Sequence, residues 1–173
     1  MSNERELIKK ITLGDFEAFQ EIIEKYQNQL YNLICRMVKN VDDSSDILQE
    51  VFLKVYKNLK NYKYQSSFST WIYRITYNLT VDHIRKSVRS KNETIYRDDL
   101  YTSKSENYSE LTDLIYDEMK KLNEKESTAL FLLYHEDKDY SEISEIMGIP
   151  LNTVKSHIFR GKENLKSKLE VYL

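Results

Sequence analysis

A length of 173 residues predicts one large domain or two small ones, and the presence of only three glycines and one proline indicates an almost entirely helical fold. The net charge of −2 at pH 7 argues against a general nucleic-acid coat protein, and a single cysteine excludes an internal disulfide. No apolar run is long enough to cross a bilayer and Met1–Lys10 is too charged for a signal peptide, so we expect a cytoplasmic protein.

The N-terminal part of the chain predicts three helices from the spacing of its apolar residues. Leu7, Ile8 and Ile11 lie on one side of a short helix that Gly14-Asp15 ends. The core side of the second helix, which continues to about Lys39, is predicted to be Phe16, Phe19, Ile22, Ile23, Tyr26, Leu30, Leu33, Ile34 and Met37. Residues 42–45 offer a choice of N-caps for the third helix. Its predicted core side is Ile47, Leu48, Val51, Phe52, Val55 and Leu59.

The stretch from Ser66 to Arg89 predicts a further helix, which Ser66 or Ser67 can cap. Its predicted apolar stripe is Phe68, Ile72, Ile75 and Leu79. We expect exposed aromatic rings off that stripe, followed by a cationic cluster: Trp71, Tyr73 and Tyr77, then Arg85, Lys86 and Arg89. Aromatic surfaces beside positive charge suit a protein that holds unstacked bases while its cations bind phosphates. Ordinary packing of each ring is the alternative.

The helical periodicity fails from Lys91 to about Thr112, where the residues are polar and of mixed charge. We interpret this segment as a flexible linker between two helical domains. The predicted domains are residues 1–90 and 113–173, and the linker is residues 91–112.

The last third of the chain predicts a helix-turn-helix. Asn123 with Glu126 and Asp139 with Glu142 have the spacing of capping boxes. Gly148 suits a tight turn between helices and Pro150 suits the first turn of the final helix. We expect that helix to bury Val154 and Ile158 and to expose Lys155, Ser156, Phe159, Arg160 and Lys162. A generic helical hairpin with a cationic face is the alternative.

The charge distribution supports two separate DNA contacts. From Trp71 to Lys91 the chain has five positive residues against one negative, and from Leu151 to Leu169 it again has five against one. Acidic residues are concentrated elsewhere, in 42–50 and 136–145. Two basic surfaces on an acidic body favour specific contacts and limit binding to random duplex.

Three segments of the chain, in this order and spacing, resemble the extracytoplasmic-function sigma factors, the minimal members of the sigma-70 family. DDSSDILQEVFLKVYKNL resembles the segment that docks on the clamp helices of bacterial RNA polymerase. FSTWIYRITYNLTVDHIRK resembles the segment that melts and recognises the minus-ten promoter element. YSEISEIMGIPLNTVKSHIFRGKENL resembles the part that recognises the minus-35 element. The resemblance covers nearly the whole sequence, implies two helical domains, and implies an anti-sigma factor as a further partner.

The resemblance also implies roles for individual residues. The positions that contact the polymerase clamp are Asp46, Gln49, Glu50 and Leu53. The loop in which related proteins lodge a flipped base is Tyr62, Lys63, Tyr64, Gln65 and Ser66. The positions on the adjoining helix that face the minus-ten element are Trp71, Asn78, Asp82 and Arg85. The positions of the final helix that face the minus-35 element are Lys155, Ser156, Phe159 and Arg160.

The final helix departs from the family pattern at two places, at His157 and at Gly161-Lys162, the latter standing where alanine-arginine is common. His157 stands where arginine is common, and we expect it to be uncharged near neutral pH and to grip phosphate less strongly. Gly161 stands where alanine is common, and its low helix propensity is expected to loosen the C-terminal half of that helix.

Enzyme function has no support in the sequence. The three histidines are scattered, and no nucleophile with a paired base, glycine-rich phosphate loop or metal-spaced Cys/His cluster occurs. We therefore expect no catalytic residue, no metal site and no cofactor. The alternative functions are a stand-alone helix-turn-helix repressor or activator, which would bind promoters without polymerase, and a helical protein-interaction module, which would not need two basic surfaces.

Overall fold

A computed structural model of the protein describes residues 2–38, 40–91, 118–119 and 122–169. Within these ranges all regular secondary structure is helical, so the predicted all-α fold is confirmed. The chain divides into two compact units, Met1–Asp99 and Leu100–Leu173. Apart from Lys91, which ends a helix, the predicted linker over 91–112 lies outside the described residues.

The described residues of the first unit, 2–38 and 40–91, form four α-helices and one short 3-10 helix. These are α1 (Ser2–Thr12), α2 (Phe16–Val38), α3 (Val41–Asn58), the 3-10 helix (Leu59–Asn61) and α4 (Phe68–Lys91). As predicted, α1 ends before Gly14, whose φ of +98° suits a residue without a Cβ atom. Asp15 then caps α2, because its Oδ1 accepts a hydrogen bond from Ala18 N at 3.1 Å.

The predicted N-cap of α3 is wrong by at least two residues. Asn40 is the cap, and its Oδ1 accepts hydrogen bonds from the backbone N–H groups of Asp42 and Asp43 at 3.0 and 3.3 Å. Residues 42–45 therefore lie inside the helix. The acidic run masked the cap in the sequence, because carboxylates are favourable both as caps and within the first turn, where they face the positive end of the helix dipole.

The core of the first unit lies between α2, α3 and α4. Its most deeply buried aliphatic side chains are Ile22, Leu30, Leu33, Ile34, Val51, Val55 and Ile72. Phe16 was predicted in this core but is 64% exposed, because it is the first residue of α2. Its ring contacts Phe19, with ring centroids 6.4 Å apart. Ile23 and Leu48, also predicted there, are only half-buried.

The buried face of α4 differs from the predicted stripe. Tyr73 and Tyr77 were expected at exposed positions but are buried, whereas Ile75 and Leu79 are half-buried. The same face buries three threonines, Thr70, Thr76 and Thr80. Threonine can be buried because its Oγ1 donates to a carbonyl one turn earlier, at 2.9 Å for Thr76 to Ile72 and 2.8 Å for Thr80 to Thr76. A prediction from hydropathy alone misses these buried threonines, because it does not account for hydroxyls that form hydrogen bonds within their own helix.

The second unit contains the predicted helix-turn-helix. Among the residues described from 122 onward, its helices are α5 (Glu124–Tyr134), α6 (Tyr140–Met147) and α7 (Leu151–Leu169), and residues 118–119 are also helical. The capping box of α6 is confirmed, because Asp139 Oδ1 accepts from Glu142 N at 2.8 Å and Glu142 Oε2 accepts from Asp139 N at 3.1 Å. Gly148 has a φ of +63° and forms the turn between α6 and α7. Pro150 lies immediately before α7, rather than in its first turn, and its carbonyl accepts from Thr153 and Val154 N–H.

Two predictions about α5 and α7 need correction. Asn123 caps Lys125 N at 3.0 Å, but Glu126 does not complete a capping box, because its buried carboxylate accepts instead from Asn164 Nδ2 of α7 at 3.3 Å. Gly161 was expected to loosen α7, yet the helix continues to Leu169. A Cβ atom added at Gly161 would lie 2.7 Å from Leu130 Cδ1 and 3.2 Å from Leu130 Cγ. The glycine therefore allows α7 to approach α5 closely.

Candidate nucleic-acid and polymerase interfaces

Residues 62–67 form a loop over an aromatic cluster that consists of Tyr62, Tyr64, Phe68 and Trp71. The Tyr62 ring lies 5.6 Å from Phe68, 5.1 Å from Trp71 and 4.6 Å from Tyr64, measured between centroids. Its hydroxyl donates to Ser66 O at 2.7 Å and closes the loop. Tyr62 is only 9% exposed, and burial raises the pKa of its hydroxyl, an effect that the Glu4 charge reinforces. The structure thus places Tyr62 at the base of the loop with little exposed surface, and its role as a DNA contact stays a prediction.

The other residues of the loop are more accessible to a ligand than Tyr62 is. Lys63, Tyr64 and Gln65 are exposed and Ser66 is half-buried. Tyr64 has a φ of +56°, an uncommon backbone conformation for a residue with a Cβ atom, and its side chain is 43% exposed. The guanidinium of Arg5 lies over its ring, with Cζ 5.5 Å from the ring centroid.

The predicted minus-ten residues of α4 lie on one face of the helix. Trp71, Asn78, Asp82 and Arg85 are separated by seven, four and three positions, which places them in one row. Asn78, Asp82 and Arg85 are exposed, whereas Trp71 is half-buried against Tyr62 and Phe68. Arg85 Nη1 lies 3.6 Å from Asp82 Oδ1, in an exposed and therefore weak ion pair. Arg74, also exposed, falls in the same row and was not predicted as a site residue, although its helical spacing would have indicated it.

The exposed face of α7 brings together the four predicted minus-35 residues. Lys155, Ser156, Phe159 and Arg160 border one shallow surface depression, and Phe159 is 65% exposed. Arg160 Nε donates to Ser156 O at 3.3 Å and lies 3.9 Å from Glu126 Oε1. The backbone carbonyl of its own helix and a buried carboxylate therefore constrain the guanidinium.

His157 lies beside this face but points inward. Its Nδ1 is buried and, within the described residues, makes no hydrogen bond. Burial lowers the pKa of His157, and the nearby Arg160 and Lys125 charges lower it further. The side chain is therefore neutral near pH 7, in agreement with the expectation that it contributes no charge to a phosphate contact.

The predicted polymerase-binding residues share an exposed face of α3. Asp46, Gln49, Glu50 and Leu53 are all exposed, with Leu53 at 59%, and their spacing of three, one and three positions keeps them in one row. Tyr56 continues the row one turn further and is 41% exposed, while its ring packs on Phe19 with centroids 5.0 Å apart. Tyr56 was not predicted on this face, although it follows Leu53 by three residues.

Two other kinds of feature are absent from the described residues. No helix among them is long and apolar enough to span a membrane. They contain no group of three or more His, Cys, Asp or Glu side chains arranged to hold a metal ion.

Comparison with known proteins identifies the family. The Sigma-70 region 2 family matches residues 22–90, and the Sigma-70, region 4 family matches residues 112–165. The chain is 35% identical to the ECF RNA polymerase sigma factor SigW of Bacillus subtilis (strain 168), over 94% of each chain. It belongs to the extracytoplasmic-function sigma factors. An ECF RNA polymerase sigma-E factor of Haemophilus influenzae is 32% identical over 95% of this chain and 94% of its own. The protein is thus a sigma factor that directs RNA polymerase in transcription initiation.

Two solved structures share the fold of this sigma factor. The sigma factor RpoE of Bartonella quintana, in complex with the anti-sigma factor NepR, superposes with a TM-score of 0.78 at 18% identity, covering 88% of this chain and 97% of its own. CnrH in complex with the cytosolic domain of CnrY gives a TM-score of 0.71 at 18% identity, covering 98% of each chain. These similarities support the all-helical fold and not the roles of individual residues.

Proposed function

We propose that this sigma factor divides promoter recognition between its two units and docks on core RNA polymerase through the first. The observation that carries the proposal is the row on α4, in which the half-buried Trp71 and the exposed Asn78 and Arg85 follow a loop built over packed aromatic rings. A protein that only recognises closed duplex does not need such a surface, whereas one that holds a separated strand needs aromatic faces beside cations.

The minus-ten contact is assigned to the loop and to α4. Tyr64, Lys63 and Gln65 supply the accessible side chains of the loop, and Ser66 its half-buried end. A base lifted from the duplex can stack on an exposed ring, and one stacking contact contributes about 1–3 kcal/mol. In this proposal Tyr62 acts indirectly, because its hydroxyl and its packed ring hold the loop in place.

The minus-35 contact is assigned to Lys155, Ser156, Phe159 and Arg160 on α7. In a helix-turn-helix, the exposed face of the second helix enters the major groove. A guanidinium can bind guanine O6 and N7 together, and Arg160 is the only arginine of this helix. The functional domains are proposed to be residues 1–90 and 113–173, joined by residues 91–112, and the family matches to 22–90 and 112–165 support this division.

The polymerase contact is assigned to the row on α3. Asp46 and Glu50 give the row a negative charge that complements a basic partner, while Leu53 adds an exposed apolar side chain that can be buried on docking. We infer that the partner surface is the clamp helices of the largest polymerase subunit. The complexes of RpoE with NepR and of CnrH with CnrY support an anti-sigma factor as a further partner of this chain.

We also infer a cytoplasmic location and a role without catalysis of its own, because a sigma factor acts on DNA together with the polymerase. The rival function, a stand-alone helix-turn-helix repressor or activator, has no support from the family matches, which extend to both units.

The test compares transcription from a matched duplex promoter and from the same promoter with a mismatched, pre-opened minus-ten region. Tyr64→Ala and Asn78→Ala are the test variants, and Asn32→Ala, an exposed asparagine on α2, is the control. We expect both test variants to reduce transcription from the duplex much more than their binding to core polymerase. The pre-opened template should restore much of the activity, because the cost of opening has been removed.

Two results would contradict the proposal. If the defects are equal on both templates, the loop and α4 have no special part in opening DNA. If the wild-type protein protects promoter DNA specifically without core polymerase, the stand-alone regulator is favoured.

A further inference from the structure

Helix α1 places a cation over the proposed minus-ten loop. Arg5 is exposed, and its Cζ lies 5.5 Å from the centroid of the Tyr64 ring, within the range of a cation–π contact. Among the residues that the structure describes, no protein group accepts a hydrogen bond from this guanidinium. Its N–H donors are therefore available to a ligand that approaches the loop.

The position of Arg5 is fixed by the residues on either side of it. Glu4 Oε1 accepts hydrogen bonds from Lys25 Nζ and from the Tyr26 hydroxyl of α2, both at 2.7 Å. Although burial opposes ionisation of Glu4, these two hydrogen bonds and the Lys25 charge lower its pKa, so the carboxylate stays charged at neutral pH. Leu7 and Ile8 are buried in the core on the following turn. Arg5 thus extends from a docked segment of helix.

The Tyr64 ring is held between two kinds of neighbour. Its centroid lies 4.6 Å from that of Tyr62, and the Arg5 guanidinium covers part of the ring. The side chain nevertheless remains 43% exposed. An aromatic ring with a cation beside it is the combination by which proteins bind single-stranded nucleic acid, because the ring stacks on a base while the cation neutralises a phosphate.

We propose that Arg5 is a DNA-binding residue of the minus-ten interface. Its free N–H groups bind a backbone phosphate next to the base that the loop receives. Arginine suits this role because its planar guanidinium donates two parallel hydrogen bonds to phosphate while it stacks on an aromatic ring. The inference rests on the proposed function of the Tyr64 loop and adds α1 to that site.

The test measures binding of a fluorescent single-stranded minus-ten oligonucleotide to the assembled holoenzyme. The oligonucleotide is taken from a promoter that the wild-type holoenzyme transcribes. Arg5→Ala and Arg5→Gln are the test variants, and Lys10→Ala, an exposed cation on another side of α1, is the control. Circular dichroism of each variant checks that helix content is retained.

We expect both Arg5 variants to bind roughly threefold to tenfold more weakly near physiological salt, whereas Lys10→Ala binds normally. Affinity should also depend less on salt, because the loss of one phosphate contact on a single strand lowers the slope of log K against log salt concentration by about 0.7. Both changes together support the phosphate contact.

Unchanged affinity in the Arg5 variants overturns the inference. Weaker binding with an unchanged salt slope also overturns it, because Arg5 would then act only by holding the Tyr64 ring. A different result bears on the proposed function itself: if Tyr64→Ala and Asn78→Ala holoenzymes bind the oligonucleotide as well as the wild type does, the loop is not the minus-ten site.

Discussion

Replacement of Gly161 by alanine gives opposite predictions from sequence and from structure. Glycine in the interior of a helix is less favourable than alanine by about 1 kcal/mol, so helix propensity alone predicts that Gly161→Ala stabilises the protein. In the structure, the new Cβ atom would lie 2.7 Å from Leu130 Cδ1, a separation well inside van der Waals contact. We therefore expect the substitution to destabilise the second unit.

The magnitude follows from how little room the neighbouring side chain has. Leu130 is 1% exposed, and its Cγ would lie 3.2 Å from the added atom, so a rotation of the terminal methyl alone does not relieve the overlap. Overpacking of a core by one methyl group costs about 1–3 kcal/mol. After subtraction of the gain in helix propensity, the net loss in the free energy of unfolding is about 0–2 kcal/mol, with a midpoint of about 1 kcal/mol.

Urea unfolding followed by far-UV circular dichroism measures this change. A second variant, Leu130→Ala, removes the overlapping atoms and leaves a cavity, so it is destabilising by itself. In that background the Gly161→Ala substitution should become stabilising, since only the gain in propensity and the partial filling of the cavity remain. A Gly161→Ala protein that is more stable than the wild type by about 1 kcal/mol would refute the packing argument.

Two further predictions concern the proposed interfaces, and a third concerns the pH dependence of stability. Charge reversal of Asp46 and Glu50 to lysine should weaken binding to core polymerase with little change in helicity. The control, Glu21→Lys on an exposed part of α2, should bind core polymerase normally. If the double variant competes with the wild type for core polymerase as well as the wild type does, α3 is not part of the interface. Arg160→Ala should weaken duplex binding at the minus-35 element by about 1–3 kcal/mol in a holoenzyme binding assay, and an equal loss of core-polymerase affinity would contradict the assignment. Because the pKa of His157 is lowered in the folded state, the unfolded state takes up its proton first; the free energy of unfolding should therefore fall as the pH drops below the ordinary value of 6.5, and His157→Gln should flatten that dependence.

The local signals in the sequence predicted the helices and the turns of both units well. Gly148 at a positive φ and the capping box of Asp139 with Glu142 depend only on residues within a few positions of each other, and both are confirmed. The apolar spacing of α2 and α3 likewise identified most of the core. These features are predictable because their physical causes lie within one or two helical turns of the sequence.

Apart from the N-cap of α3, which the neighbouring acidic run masked, the main errors occur where distant parts of the chain decide the outcome. Tyr73 and Tyr77 lie off the aliphatic stripe of α4, yet they are buried because α2 and α3 cover a wider arc of that helix than the stripe spans. The incorrect expectation for Gly161 has the same cause, since the effect of a glycine at this position depends on the packing of Leu130 from another helix. The Arg5–Tyr64 contact joins residues far apart in sequence, so no periodicity could have indicated it. The assignments of DNA-binding and polymerase-binding residues stay predictions.

In the proposed minus-ten loop, the buried Tyr62 lies beneath the more accessible Lys63, Tyr64 and Gln65, and this arrangement bears on how the proposed site would hold a separated strand. A disordered loop would lose conformational entropy on binding DNA, and that loss would reduce the affinity for the opened strand. Here the Tyr62 hydroxyl already closes the loop onto Ser66 O at 2.7 Å, and the Tyr62 ring is fixed by Phe68 and Trp71. If the loop is the minus-ten site as proposed, these contacts hold it in place without DNA, so that stacking on Tyr64 would contribute more fully to holding the opened base.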